Sequence, residues 1–279
     1  MIAAMFFETP SVFGMAHIIS LVIIAVLNIA AFFILRNLDE KKLLSVLRAL
    51  GSLMILAEIF KQWFCYVYVF NMEVNLWFFP WQLCSMAMYL SFAAIYLNGK
   101  MQTAALVFLA TYSLFADVVA LALPYDMLRP QIALFIHSFA YHGLVITESM
   151  IAIMILAKRM CVRKRAVDVS CADSDGKSIV PSASPKFMHA TVLFLIMAAI
   201  AEIINVVSHA IFNDIHVEPN MFYITPFYPT TQPILHDIAV NYGVAVEIVL
   251  YLALIILMSY IVFVVEKKTI EVNQKEVPT

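Results

Sequence analysis

The sequence predicts an all-α membrane protein with a single domain, a bundle of seven transmembrane helices. Hydrophobic residues make up 63% of its 279 residues and charged residues only 13%, and the mean hydropathy of +0.91 is far above that of soluble domains. A helix needs roughly 20 apolar residues to cross the hydrocarbon core of a bilayer, where its backbone must satisfy its own hydrogen bonds. Seven stretches have that length, and they lie near residues 13–35, 43–64, 77–97, 101–121, 131–156, 187–211 and 239–265.

The distribution of basic residues predicts the orientation of this bundle. Most of the 17 Lys and Arg residues fall in the loops that follow the first, third and fifth spans and in the C-terminal tail. The positive-inside rule therefore places the N-terminus outside and the C-terminus in the cytoplasm. We expect 158–186 to be a flexible cytoplasmic linker and 266–279 a cytoplasmic tail. The net charge of −2 argues against a nucleic-acid partner.

Polar residues inside the predicted spans collect toward the outer face. Such groups are costly in hydrocarbon and often mark a substrate path or a reactive site. Asp117 lies near the outer end of the fourth span, whereas Glu148 is an outlier near the middle of the fifth. We therefore predict a polar cavity that opens toward the outer face. Its expected supporting residues are Glu58, Lys61, Gln82, Asn205, His209 and Asn241.

Cys84 and His142 could form a pair of nucleophile and base inside the membrane. They lie in the third and fifth spans, at similar predicted depths below the outer face. A thiol is a good nucleophile only as the thiolate, and a neighbouring imidazole can take its proton. The pair therefore predicts acyl transfer through an acyl-cysteine. The alternative is that Cys84 is a small hydrophobic residue in helix packing.

The spacing of other polar residues gives two shared helix faces. Glu58 is three residues from Lys61 and four from Gln62, so that these side chains can pair within one helix. Asn205 and His209 are four apart and also share a face. Both patterns are equally typical of polar contacts that hold transmembrane helices together.

Neither a metal nor a cofactor is expected. Cys84, His137, His142 and His209 are possible ligands, but they form no motif with the short spacing of a metal site. A disulfide between Cys65 and Cys84 has no support from spacing.

Three short motifs carry a resemblance to a known family. They are Glu58-Ile-Phe-Lys61, Pro80-Trp-Gln-Leu-Cys84-Ser and Phe139-Ala-Tyr-His142-Gly, in the second, third and fifth predicted spans. In order and spacing they resemble the YwaF family of bacterial integral membrane proteins, which is related to the animal transmembrane protein 164, an acyltransferase of ether phospholipids. The resemblance implies a seven-span protein of the bacterial cytoplasmic membrane with Cys84 and His142 as its reactive pair. One departure is Gln82, where bacterial members commonly carry His.

Residues and resemblance together predict a phospholipid acyltransferase. Its partners would be the bilayer, a phospholipid donor and a lysophospholipid acceptor, and Lys61, Gln82 or Asn205 would stabilise the oxyanion. A lipid hydrolase using the same pair and a transporter stay open as alternatives. A retinal protein is disfavoured because the last span, 239–265, contains no Lys for a Schiff base.

Overall fold

The fold is known from a computed structural model that describes residues 6–170, 185–214, 216–232 and 234–276. It is all-helical in these residues, apart from one isolated bridge between Phe6 and Gln131. One π-helical segment, Cys65–Val69, extends the helix Glu40–Phe64, and another, Leu109–Ser113, joins the helix Gly99–Phe108 to the helix Leu114–Ala122. The nine α-helices of the described residues are α1 (Met15–Leu35), α2 (Glu40–Phe64), α3 (Ser85–Ala93), α4 (Gly99–Phe108), α5 (Leu114–Ala122), α6 (Ile132–Ser170), α7 (Phe187–Phe212), α8 (Leu235–Tyr242) and α9 (Val244–Glu276).

Six helical segments of the described residues are long and apolar enough to cross a membrane. They correspond to six of the seven predicted spans, so the architecture is that of a multi-pass membrane protein. The six segments are Met15–Leu35, Glu40–Val69, Gly99–Ala122, Ile132–Val162, Phe187–Phe212 and Val244–Val272.

Several predicted boundaries need correction. The helix α6 continues to Ser170, so the first part of the predicted linker 158–186 is helical, and 171–184 lie outside the described residues. The helix α9 likewise continues to Glu276, through most of the predicted tail. The last predicted span begins inside α8. That helix ends at Tyr242, because Gly243 follows with a φ of +95°, which breaks the helix.

The predicted third span, 77–97, is wrong as a continuous helix. Only Ser85–Ala93 are α-helical, and nine residues rise about 13 Å, less than half the thickness of a hydrocarbon core. Pro80 lacks an amide hydrogen and disfavours helix in the residue before it. The irregular backbone is instead held by other parts of the chain, since the Leu76 amide donates to the Val217 carbonyl at 3.0 Å.

The chain nevertheless runs through the bundle between residues 76 and 98. Leu76 lies at the end that carries the 216–232 segment, which we call the loop end. Ala94 lies at the opposite end, where its carbonyl accepts a hydrogen bond from Gln102 Nε2 at 2.7 Å. Arg159 of α6 bonds Glu40 and Gln102 at this same end, joining α6 to the starts of α2 and α4. The third passage is therefore half irregular segment and half helix, and Cys84 lies where the two meet.

A glycine sets the close approach of α2 to α3. A Cβ on Gly51 would lie 2.5 Å from the Phe92 amide nitrogen and 2.8 Å from the Met88 carbonyl oxygen. Both atoms belong to the backbone of α3, so they cannot move aside as a flexible side chain can. The position of α3, and with it that of Cys84, depends on this contact.

We expect Gly51→Ala to lower the melting temperature of the purified protein. Overpacking of this kind destabilises by about 1–3 kcal/mol. The matched control is Gly143→Ala, whose new Cβ would meet only the flexible side chain of Ile24, at 3.1 Å. Equal melting temperatures for the two variants would show that α2 and α3 do not pack as described.

Candidate functional site

Cys84 lies at the N-terminal end of α3, half-buried inside the bundle. The amide groups of Leu83 and Cys84 donate no backbone hydrogen bond in the part of the chain that the structure describes. Free amides and the helix dipole give this end of α3 a partial positive charge.

His142 of α6 is paired with Asp117 of α5. The His142 Nδ1 atom is hydrogen-bonded to Asp117 Oδ1, and both side chains are buried. An ionised Asp117 only accepts hydrogen bonds, so the ring proton lies on Nδ1 and leaves Nε2 with a free lone pair. This is the arrangement of a general base whose orientation is set by a carboxylate.

The structure brings Cys84 into the same region as this pair without a direct contact. Asp117, Lys61 and Glu58 lie within electrostatic range of the Cys84 thiol. No hydrogen bond joins Cys84 Sγ to His142 among the described residues. Catalytic hydrogen bonds are often long in substrate-free proteins and shorten when substrate binds.

A buried carboxyl group lies deeper in the same region. Glu148 of α6 is fully buried, and neither of its carboxyl oxygens has a hydrogen-bond partner among the residues that the structure describes. The Ser91 hydroxyl of α3 lies beside it without the geometry of a hydrogen bond, and Asp117 is within electrostatic range. An ionised carboxylate in such surroundings is very costly, which makes Glu148 a candidate proton carrier.

The predicted pairing of Glu58, Lys61 and Gln62 is confirmed. Lys61 Nζ lies 2.8 Å from Glu58 Oε1, and Gln62 Nε2 donates to the same oxygen at 2.7 Å. Gln62 also donates to the Phe78 carbonyl, which fastens the irregular part of the third passage to α2. The network thus has a clear packing role.

A surface cavity of about 240 Å³ opens beside Gln62 and Cys65, but Cys84 and His142 do not line it.

Gln82 and Asn205 hold the 216–232 segment against the bundle. Gln82 accepts from the Phe222 amide at 2.9 Å and donates to the Asn220 carbonyl at 2.8 Å. Asn205 accepts from the Met221 amide at 2.7 Å and donates to the Met221 carbonyl at 3.1 Å. Both amide side chains are therefore committed to the backbone of this segment.

The 216–232 segment closes the loop end of the bundle above Cys84. Met221 and Phe222 are fully buried, and Tyr223 donates to Asp126 Oδ2 at 2.8 Å. Burial, together with Asp126, raises the pKa of Tyr223 well above its ordinary value. Phe222 and Tyr223 both have positive φ, a strained conformation for aromatic residues. No sequence signal pointed to this segment.

His209 and Asn241 lie apart from the Cys84 region. His209 Nδ1 is 2.9 Å from Glu218 Oε2, and its ring stacks on Phe227 at 3.6 Å. Asn241 is exposed and donates to the carbonyl of Asp237 in its own helix. The eight predicted site residues thus do not all line one polar cavity.

Asp117 is the residue to which the sequence assigned no role. Its place among the polar residues near the outer ends of the spans was a signal, but its partner His142 lies 25 positions away in another helix. No local spacing can reveal such a pair.

The cysteines form no disulfide in the described residues. Cys65, Cys84 and Cys161 are free thiols, and Cys171 lies outside the described residues. Nor do three or more His, Cys, Asp or Glu side chains converge on a possible metal position in the described ranges.

Comparison with known proteins identifies no relative, because no family model, curated protein or solved structure matches the chain. The resemblance to the YwaF family therefore stays a prediction from the three motifs.

Proposed function

We propose that this protein is a membrane-embedded acyltransferase in which Cys84 is the nucleophile, His142 the general base and Asp117 the group that orients it. The observation that carries the proposal is the buried Asp117–His142 pair in the region of a thiol at a helix N-terminus. Nucleophile, base and orienting group are the three parts of a thiol-based acyl-transfer site.

The proposed reaction needs no reactant other than the donor lipid and the acceptor lipid. Nε2 of His142 takes the thiol proton, and the Cys84 sulfur attacks the carbonyl carbon of a phospholipid ester. The tetrahedral intermediate then breaks its bond to the glycerol oxygen, which leaves as lysolipid with the proton from His142. The acceptor hydroxyl next gives its proton to His142 and attacks the thioester, and Cys84 recovers its proton. In this proposal the oxyanion accepts hydrogen bonds from the amides of Leu83 and Cys84, which donate no backbone hydrogen bond in the described structure.

The acyl donor in this proposal is a phospholipid already in the bilayer. We place the loop end on the outer face of a bacterial cytoplasmic membrane and the basic residues near Arg159 on the cytoplasmic side, following the positive-inside rule. The third passage then completes seven crossings, and Cys84 lies within the membrane, out of reach of cytoplasmic acyl carriers. The acceptor is a lysophospholipid.

Lipid turnover by the purified protein tests this function. The protein is mixed with a phospholipid whose acyl chain is isotope-labelled and with an unlabelled lysophospholipid, and the label is followed by mass spectrometry. We expect label on the acceptor. Free labelled fatty acid would instead identify a hydrolase with the same residues, and no turnover by a folded sample with several donors would contradict both.

The second candidate function is proton-coupled transport, and Glu148 is the observation that favours it. A buried carboxyl without a partner is typical of proton relays in membrane proteins, and the half-helical third passage resembles the broken helices of transporters.

Glu148→Gln separates the two functions. Under the acyltransferase proposal we expect this variant to keep lipid transfer and to melt no lower than wild type, because a neutral isostere removes the cost of a buried charge. A transporter would instead lose pH-driven dye quenching in proteoliposomes on the same substitution. The control is Glu271→Gln, which changes a half-exposed carboxyl near the C-terminal end of α9.

A further inference from the structure

The three side chains expected to stabilise the oxyanion are engaged elsewhere. Lys61 is paired with Glu58, while the amides of Gln82 and Asn205 hold the 216–232 segment. The acyl-transfer site therefore needs a different side-chain donor, since charge that develops on a carbonyl oxygen in a buried site is stabilised by donors fixed beforehand.

Tyr141 offers such a donor. It precedes His142 on α6, is only 6% exposed, and its hydroxyl has no hydrogen-bond partner in the described structure. A buried hydroxyl rarely goes without a partner, so this one needs a reason. Cys84, Glu58, Glu148 and Asp117 all lie within electrostatic range of this hydroxyl.

The Tyr141 ring is fixed by its neighbours. It stacks on His137 with the ring centroids 5.6 Å apart, and it meets His142 edge-on at 6.0 Å. These contacts hold the ring in place and so fix the position of the hydroxyl oxygen. Preorganisation of this kind is what an oxyanion donor requires.

Two other tyrosines, Tyr223 and Tyr251, lie within electrostatic range of Cys84. Tyr223 donates to Asp126, and the Tyr251 hydroxyl is not among the buried, unpartnered hydroxyls of the described residues. Tyr141 is thus the buried phenol that combines proximity to the thiol with a free hydroxyl.

We propose that the Tyr141 hydroxyl donates a hydrogen bond to the oxyanion of both tetrahedral intermediates. It acts beside the free amides of Leu83 and Cys84 and keeps its own proton throughout. The inference rests on the proposed acyl transfer. It implies a carboxylic ester or thioester as substrate, because a hydroxyl that donates to an oxyanion needs a carbonyl oxygen on the carbon that Cys84 attacks.

Full-length Tyr141→Phe, assayed with the labelled phospholipid and lysophospholipid, tests this role. We expect kcat to fall by about 10²- to 10³-fold, the effect of removing one oxyanion donor, with KM for the donor lipid unchanged. The rate at which a thiol reagent alkylates Cys84 should also stay at the wild-type value. The matched control is Tyr112→Phe, which removes a fully buried hydroxyl bonded to Thr191 at 2.9 Å and should leave kcat intact.

The outcomes separate this inference from the proposed function. Transfer that is lost in Cys84→Ala but unaffected in Tyr141→Phe overturns the role of Tyr141 alone. A wild-type protein without transfer, or one whose Cys84→Ala variant is equally active, overturns both. A loss of activity in Tyr141→Phe together with slower Cys84 alkylation and a lower melting temperature than Tyr112→Phe would show a structural role and also overturn the inference.

Discussion

Replacing Cys84 by alanine is expected to reduce acyl transfer to background. The thiol supplies the atom that carries the acyl chain between lipids, and no other group in the proposed mechanism can replace it. Loss of the nucleophile in a catalytic unit of this kind lowers kcat by on the order of 10⁴-fold or more. The fold should persist, because the substitution removes one sulfur atom at a half-buried position.

The controls for Cys84→Ala are two other cysteines. Cys65 is also a free thiol and is more deeply buried, and Cys161 lies toward the opposite end of the bundle. Cys65→Ala and Cys161→Ala should keep the transfer rate of wild type. The rate is measured as label gained by the lysophospholipid. A Cys84→Ala variant that retained most of this rate would show that Cys84 is not the nucleophile.

Asp117→Asn is expected to lower kcat by about 10²- to 10⁴-fold with little loss of stability. An asparagine can still bond His142, but its amide donates to Nδ1 and so favours the tautomer with the proton on Nε2. That tautomer cannot take the Cys84 proton. The melting temperature should hold or rise, since the substitution removes a fully buried charge whose second oxygen, Oδ2, has no partner.

The control for Asp117→Asn is Asp39→Asn. Asp39 is exposed and caps α2 by accepting from the Lys42 amide at 2.8 Å, and asparagine caps a helix about as well. This variant should match wild type in both rate and stability. If Asp117→Asn also matched wild type in rate, His142 would not be acting as a base oriented by Asp117.

Six of the seven predicted spans correspond to long apolar helices because their signal is local. A long run of mostly apolar side chains is sufficient, and in α1 only His17, Ser20 and Asn28 interrupt that run between Met15 and Leu35. The third passage, residues 76–98, is also mostly apolar but has a different structure. Pro80 disfavours a helix around it, and partners far along the chain, such as Val217, satisfy backbone groups there. Hydropathy cannot detect partners that lie more than a hundred residues away.

The site was predictable to the extent that its residues were chemically unusual in a span. Cys84 and His142 qualified by residue type, and the pairing of Glu58 with Lys61 followed from helical spacing. Gln82 and Asn205 were selected as cavity residues by the same reasoning, but the structure shows their side chains hydrogen-bonded to the backbone of the 216–232 segment. Whether a polar side chain is free or committed depends on tertiary contacts, which residue type does not reveal.

Tyr141 was missed for a related reason. Aromatic residues are common in apolar spans, and 13% of this chain is aromatic, so that one tyrosine carries no signal by itself. Only its missing hydrogen-bond partner and its place beside Cys84 distinguish it.

Direct detection of an acyl-cysteine tests whether Cys84 carries the acyl chain. The purified protein is incubated with labelled phospholipid in the absence of an acceptor, digested, and searched by mass spectrometry for a labelled peptide. We expect one acyl group on Cys84, released by hydroxylamine and by added lysophospholipid, and absent from the Cys84→Ala variant. Transfer by wild type with the acyl group on another residue, or with no acyl-protein even under rapid quenching, would contradict it.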